Sequence, residues 1–209
     1  MMRRSKGISL FLIAITVLVS VGAYAFLPDS IAIQFSGNNE PSNAAPKYIG
    51  LLIAPAVMIF FHVTKEMRSR GVHRANLLDT TVFFLLSQGV LACIQLFTIG
   101  YNLGLNLNIS AYINILLGIV LIVIGNVLHR AVKGFGQGIS NRWTLSNLTV
   151  WKKTHRVSSF IFIGAGVLPI ALNVVRQPYL TSISAFILGA SILLCYVSSY
   201  LFYLKYRNV

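Results

Sequence analysis

Six apolar stretches dominate the chain, and each is close to the length that a helix needs to cross a bilayer, about 20 residues. They lie at about 8–27, 49–63, 80–99, 111–128, 157–175 and 181–203. Only 10% of the residues are charged, whereas soluble domains carry about 25%. The chain is therefore predicted to be an all-α integral membrane protein, a bundle of six transmembrane helices.

The basic residues are distributed unevenly over the connectors between these stretches. If all six cross the bilayer, 15 of the 17 lysines and arginines lie on one side, and only Lys47 and Arg176 on the other. Since basic residues accumulate on the cytoplasmic side, both termini are predicted to be cytoplasmic, in a multi-pass protein of the bacterial inner membrane. The net charge of +13 is interpreted as this topology signal, so the expected surroundings are lipid and not nucleic acid.

The chain is expected to form one membrane domain over residues 1–209. It divides into helices 1 and 2 with an outer loop at 28–48 (1–77), helices 3 and 4 (78–128), a cytoplasmic loop (129–156) and helices 5 and 6 (157–209). The first stretch has a basic start and an Ala23-Tyr24-Ala25 cleavage pattern, but its length favours an uncleaved helix over a signal peptide. In the outer loop, the alternation of Ile31, Ile33 and Phe35 predicts a short strand or an extended surface segment.

Polar side chains within the predicted spans are amides. We expect them to form hydrogen bonds between helices; they are Gln88, Gln95, Asn114, Asn126 and Asn173. The histidines at 62, 73, 129 and 155 lack the spacing of a zinc helix, and the chain has only four acidic residues. No metal, cofactor or catalytic residue is therefore expected, and the protein is predicted not to be an enzyme.

The longest polar run, residues 125–156, is predicted to form the functional surface on the cytoplasmic side. Its glycine-rich part, 134–138, is preceded by no strand and lacks the P-loop pattern, so a flexible loop is favoured over a phosphate-binding one. Ser146 or Asn147 suits a helix N-cap, and Leu148, Trp151 and His155 then share one face. This pattern predicts an interfacial helix leading into span five, a docking face for a cytosolic partner, or both.

Two segments together resemble the SdpI family of bacterial membrane proteins. In the cytoplasmic run the similarity lies in Gly125-Asn126, Gly138-Ile139, Trp143-Thr144-Leu145, Val150-Trp151 and Thr154-His155. In the outer loop it lies in Leu27-Pro28-Asp29, Ile31 and the run from Ile33 to Asn38. Where the family has Arg and Pro in G-x-R-T-P-W, this chain has Ser140 and Arg142, so a partner that contacts this position is expected to differ in identity.

The resemblance implies a function. The best-known family member protects the producing cell from a secreted, membrane-damaging peptide toxin, and with toxin present it holds a transcriptional repressor at the membrane. By this resemblance the residues that face the toxin are Pro28, Asp29, Gln34, Phe35, Gly37 and Asn38. Those that bind the repressor are Gly125, Asn126, Gly138, Arg142, Trp143, Thr144, Leu145, Trp151, Thr154 and His155.

Three other functions remain open from the sequence. A transporter of peptides or small solutes requires a polar cavity lined by Gln95, Asn114 and Asn126. An interfacial membrane enzyme requires His129 and His155 to converge with Asp79 or Glu66. A helper subunit requires no ligand of its own.

Overall fold

The computed structural model describes residues 2–36, 40–69, 77–131, 133, 138–173 and 180–207. For residues 2–4, 68–69, 77–80 and 180–181 the description covers the backbone alone. In these ranges the elements are α1 (Met2–Ala23), β1 (Ser30–Phe35), β2 (Pro41–Pro46), α2 (Lys47–Ser69), α3 (Leu77–Asn102), α4 (Ile109–Leu128), α5 (Leu148–Leu172) and α6 (Leu180–Tyr206).

All six of these helices contain a segment long and apolar enough to cross a membrane. Many of their large apolar side chains are exposed, for example those of Leu18 (69%), Phe160 (65%) and Phe186 (76%). Exposed apolar surface of this extent is favourable against lipid and unfavourable against water. The predicted helical membrane protein is confirmed, with a small β-hairpin that the all-α class did not include. The side of the membrane that holds the termini stays a prediction.

The chain forms two compact units, Met1–Ser110 and Ala111–Val209. The first contains α1, the hairpin of β1 and β2, α2 and α3. The second contains α5, α6 and nearly all of α4. The assignment of residues 1–209 to one membrane domain stays a prediction.

Gln95 of α3 compensates for a proline in α2. Pro55 has no N–H group, so the carbonyl oxygen of Leu51, one turn earlier, loses its helical donor. Gln95 Nε2 donates to this oxygen over 3.2 Å and to Ser20 Oγ of α1 over 3.0 Å. One buried amide therefore joins the three helices of the first unit and replaces the hydrogen bond that the proline removes.

Other polar side chains tie the same helices together. Gln88 Nε2 donates to the carbonyl oxygen of Met58 over 3.0 Å. Ser9 Oγ of α1 lies 2.9 Å from His62 Nδ1 of α2, and Lys6 forms an ion pair with Glu66 over 3.2 Å. The predicted role of Gln88 and Gln95 in hydrogen bonds between helices is confirmed.

In the second unit, α4 and α5 cross at close range along a line of small residues. A Cβ atom on Gly118 would lie 2.5 Å from the carbonyl oxygen of Gly166, and one on Gly125 would lie 2.8 Å from that of Ser159. The backbones themselves are therefore in contact, as is common where small residues line a membrane helix interface. At the end of α5, Asn173 Nδ2 also donates to the carbonyl oxygen of Ala111 over 3.0 Å, which confirms its predicted role.

Helix α5 begins at Leu148, so the expectation of a separate interfacial helix before span five is wrong. Asn147 Oδ1 accepts a hydrogen bond from the N–H of Thr149 over 2.7 Å, which confirms the predicted N-cap. No glycine or proline occurs from Leu148 to Ile163, so nothing interrupts the helix at Val157, where the span was expected to begin. The polar turns and the apolar span form one continuous helix.

We expect Gly166→Leu to destabilise the protein by about 1–3 kcal/mol, because the added side chain meets the backbone of α4. Gly164→Leu is the matched control: it lies on the same helix, gains the same helix propensity, and has no neighbouring atom within 4 Å of the added Cβ. The free energy of unfolding is measured by SDS titration of mixed micelles. Equal values for the two variants would contradict the close crossing.

We expect Gln95→Leu to cost about 1–2 kcal/mol, because it leaves the Leu51 carbonyl oxygen buried without a donor. In a Pro55→Ala background the helix supplies that donor, so the same substitution should cost about 1 kcal/mol less. The double-mutant cycle is measured by the same titration, and additive effects would show that Gln95 does not compensate for Pro55.

Candidate functional site

The connection between α1 and α2 is a β-hairpin, called here the α1–α2 hairpin (residues 28–48). Strands β1 and β2 are antiparallel and pair Ile31 with Ala45 and Ala32 with Ala44. The register shifts between Ala32 and Gln34 and again between Gln34 and Phe35. Of the two structures predicted for this loop, the strand is therefore the one observed.

Asn102, at the end of α3, holds the edge of β1 that faces away from β2. Its Oδ1 accepts from the N–H of Ala32 over 2.8 Å, and its Nδ2 donates to the carbonyl oxygen of Ala32 over 3.0 Å. This side-chain amide forms the same pair of hydrogen bonds as a neighbouring strand would. It fixes a two-stranded hairpin that would be only marginally stable alone.

Apolar contacts anchor the two ends of β1. The side chain of Ile31 is fully buried and lies against Gly50, where a Cβ would approach Ile31 Cδ1 to 2.6 Å. At the other end, the Phe35 ring packs edge-on against Tyr101, with the ring centroids 4.7 Å apart, and against Phe97 at 5.9 Å. The hairpin is therefore packed onto the ends of α2 and α3.

Lys47 closes the base of the hairpin. Its Nζ lies 3.1 Å from Asp29 Oδ1 and donates to the carbonyl oxygen of Leu27 over 3.2 Å. It also lies over the ring of Tyr24, 4.8 Å from the centroid. This lysine, one of the two basic residues expected on the outer side, thus has a structural role.

The predicted toxin-facing residues differ in accessibility. Pro28, Asp29 and Gln34 are exposed, whereas Phe35 is half-buried against α3. Gly37 and Asn38, which lie between the two strands in the sequence, are outside the described residues. The accessible residues of this predicted surface are therefore Pro28 and Asp29, which precede β1, and Gln34 within β1.

The second candidate region is the α4–α5 segment (residues 138–156), whose centre is His155. His155 Nδ1 lies 2.8 Å from the carbonyl oxygen of Trp151, so it must donate; Nε2 accepts from the N–H of Ile139 over 2.9 Å. These partners define a neutral ring protonated on Nδ1. The ring also stacks on Trp151 at 4.0 Å, and Trp151 Nε1 donates to the carbonyl oxygen of Ala131 over 2.8 Å.

Gly138 is required for this arrangement. Its φ of +105° lies in the region that favours glycine. A Cβ at this position would also collide with His155 Nε2. Gly138 and His155 are therefore in direct contact, although they are 17 positions apart in the sequence.

Asn141 and Thr144 close the turn between Gly138 and α5. Asn141 Oδ1 accepts from the N–H groups of Trp143 and Thr144 over 3.1 and 2.9 Å. Thr144 Oγ1 donates to the carbonyl oxygen of Ile139 over 2.7 Å. This turn therefore holds its shape through the Asn141 side chain.

The same turn packs against α6. The Trp143 ring contacts the rings of Tyr196 and Tyr200, with centroids 4.9 and 4.8 Å apart. Asn141 Nδ2 donates to Ser199 Oγ over 2.8 Å. The α4–α5 segment is thus joined to α6 as well as to α5.

The residues predicted to bind the repressor fall into two groups. The buried ones are Gly125, Thr144, Trp151, Thr154 and His155. Those exposed or partly exposed are Asn126, Gly138, Arg142, Trp143 and Leu145. Trp151 and His155 are only 1% and 2% exposed, so they do not form the accessible docking face expected from their helical spacing. Only the second group is accessible to a partner.

The rival functions gain no support from the residues named for them. Gln95 is bonded within the first unit, Asn114 is buried with neither amide atom bonded among the described residues, and Asn126 is exposed. His129 is exposed on a cleft that His155 also lines, but both ring nitrogens of His155 are occupied. Asp79 lies where the backbone alone is described, and the described side chains contain no group of three potential metal ligands.

Asn102 and Asn141 organise the two regions but were not identified from the sequence. An asparagine at the end of a helix or within a turn is common, so neither stands out without the fold. The sequence draws some attention to Asn141, because it lies between Ser140 and Arg142, the two positions that differ from the family pattern.

These features define a multi-pass protein of the cell membrane with a packed β-hairpin between α1 and α2 and a hydrogen-bonded turn that leads into α5. The model of the SdpI/YfhL protein family matches residues 135–201, and that of a domain of unknown function, DUF1648, matches residues 11–59. The Bacillus subtilis (strain 168) protein named Immunity protein SdpI is 29% identical over 201 residues, which cover 95% of each chain. The resemblance to the SdpI family is thereby confirmed. No solved structure matches the chain.

We expect Gly138→Ala to destabilise the second unit by about 2 kcal/mol or more, because it adds backbone strain and displaces the His155 ring. Gly104→Ala is the control for strain alone: its φ is +86° and no atom lies within 4 Å of the added Cβ. Thermal unfolding of the purified proteins is compared. An equal loss in both variants would show that contact with His155 contributes nothing.

Proposed function

We propose that this protein is a membrane immunity protein that protects the cell against a secreted antimicrobial peptide toxin. We further propose that it is a receptor that sequesters a cytosolic transcriptional repressor at the membrane. The observation that carries the proposal is the similarity to Immunity protein SdpI, which extends over 95% of both chains and includes both candidate regions.

The two regions are proposed to lie on opposite sides of the membrane. If each of the six helices crosses once, the α1–α2 hairpin and the α4–α5 segment emerge on opposite faces. The excess of basic residues on the side of the termini and of the α4–α5 segment supports a cytoplasmic location for that side. The hairpin then faces outward, where a secreted peptide arrives.

The α1–α2 hairpin suits recognition of a membrane-active peptide. It is held rigidly by Asn102 and Ile31, so little ordering entropy is lost on binding. Below it, α1 and α2 border an apolar groove of about 290 Å³ lined by residues that include Val21, Tyr24 and Tyr48. We propose that the toxin contacts Gln34 and neighbouring residues of the hairpin and lays an apolar side along this groove.

The α4–α5 segment is proposed to bind the repressor through its exposed residues. Arg142 and Leu145 are exposed and lie on the turn that His155 and Asn141 hold in place. In this proposal the buried residues of the segment, such as His155, shape the turn, and the exposed residues contact the repressor. Toxin binding at the outer face would favour one arrangement of the helices, which changes how this turn is presented.

We expect cells that produce the protein to survive the toxic peptide to which the Bacillus subtilis relative gives immunity, or secreted peptides of the strain that carries this gene. Asn102→Leu should reduce survival at an unchanged membrane level, because it releases β1 from α3. Survival no better than with an empty vector in both toxin arms would refute the immunity function.

Repressor binding is expected to be separable from immunity. Arg142→Gln combined with Leu145→Ala should abolish membrane recruitment of a fluorescent repressor, one encoded beside the gene, while survival is retained. Asn102→Leu should lower survival and toxin-dependent recruitment together, because in this proposal toxin binding at the outer face drives the change at the turn. Recruitment unchanged by the Arg142 and Leu145 substitutions would refute this docking surface.

A further inference from the structure

We propose that a cationic cleft in the second unit binds the phosphate of an anionic glycerophospholipid headgroup. The cleft has a volume of about 420 Å³ and lies between the end of α4 and the first turns of α5. The basic residues that line it are Arg130, Lys133, Lys152 and Arg156. This inference does not depend on the proposed immunity function.

The charge of this cleft has no counterpart in its own half of the chain. No aspartate or glutamate occurs after residue 79. Of the described ion pairs, both lie in the first unit, and none involves a residue of the cleft. Lys152 and Arg156 are also one helical turn apart, where like charges destabilise a helix. An anion bound from outside the unit would relieve this repulsion.

The position of the cleft identifies the anion as part of a lipid. The apolar segment of α4 ends at Leu128, and Arg130 follows two residues later, so we infer that Arg130 lies at the depth of the lipid headgroups. Arginine pairs with phosphate through two parallel hydrogen bonds, and basic pockets between membrane helices bind anionic headgroups. Leu148, which is 52% exposed, also lines the cleft and offers an apolar contact to the glycerol and acyl region.

The composition of the cleft favours an anionic lipid over a zwitterionic one. A choline or ethanolamine group is bound favourably by a carboxylate or by an accessible aromatic face. The cleft has no carboxylate among its lining residues, and its tryptophan, Trp151, is buried beneath His155. Phosphatidylglycerol, which carries a net negative charge, matches the four cations better than phosphatidylcholine does.

Native mass spectrometry of the full-length protein in neutral detergent tests the proposal, with separate titrations of phosphatidylglycerol, phosphatidylcholine and inorganic phosphate. We expect phosphatidylglycerol to bind at least about tenfold more tightly than phosphatidylcholine. Lys133→Gln with Lys152→Gln should weaken binding of phosphatidylglycerol by roughly 25-fold, since each basic residue near anionic lipid contributes about fivefold.

The matched control is Lys153→Gln with Lys205→Gln, which removes the same charge at two exposed lysines that do not line the cleft. Its affinity for phosphatidylglycerol should change less than about twofold. Equal weakening by the two pairs, or equal affinity for the two lipids, would refute a specific site. Inorganic phosphate that binds as tightly as phosphatidylglycerol would assign the cleft to free phosphate instead and overturn the lipid source. Unfolding temperatures within a few degrees of wild type establish that both pairs are folded.

Discussion

A main-chain polar group that is buried in protein or in hydrocarbon is costly unless it is hydrogen-bonded, and side-chain amides and one imidazole meet this constraint here. Gln95 supplies the donor that Pro55 lacks, and Asn102 takes the place of a third strand beside β1. His155 accepts the N–H of Ile139 where no regular element is present to do so. In each case a side chain completes a backbone that regular structure leaves unpaired.

The same structural role accounts for the burial of Trp151 and His155 in the α4–α5 segment. Trp151 and His155 bind the connection to α5 through main-chain groups of Ala131 and Ile139, and Gly138 leaves room for the imidazole. These side chains maintain the shape of the turn. The exposed positions, of which Arg142 is one, can then vary without loss of the turn.

Charge is organised on a larger scale than individual ion pairs. Every acidic residue of the chain lies in the first 79 positions, and the described ion pairs, Lys6 with Glu66 and Lys47 with Asp29, are in the first unit. The second half carries only basic charge, which is concentrated around the junction of α4 and α5. In a membrane protein this arrangement both orients the chain and creates an attractive surface for anions.

The sequence alone determined the six apolar spans, an N-cap at Ser146 or Asn147 and the resemblance to the SdpI family, because apolar length, cap chemistry and motif spacing are local properties. It also predicted hydrogen bonds from Gln88 and Gln95, but not their partners. The tertiary structure decided that α5 is one helix, that Trp151 and His155 are buried, and that Asn102 holds the hairpin. These outcomes depend on which surfaces meet, and helical periodicity defines a face without showing whether that face meets protein, lipid or water.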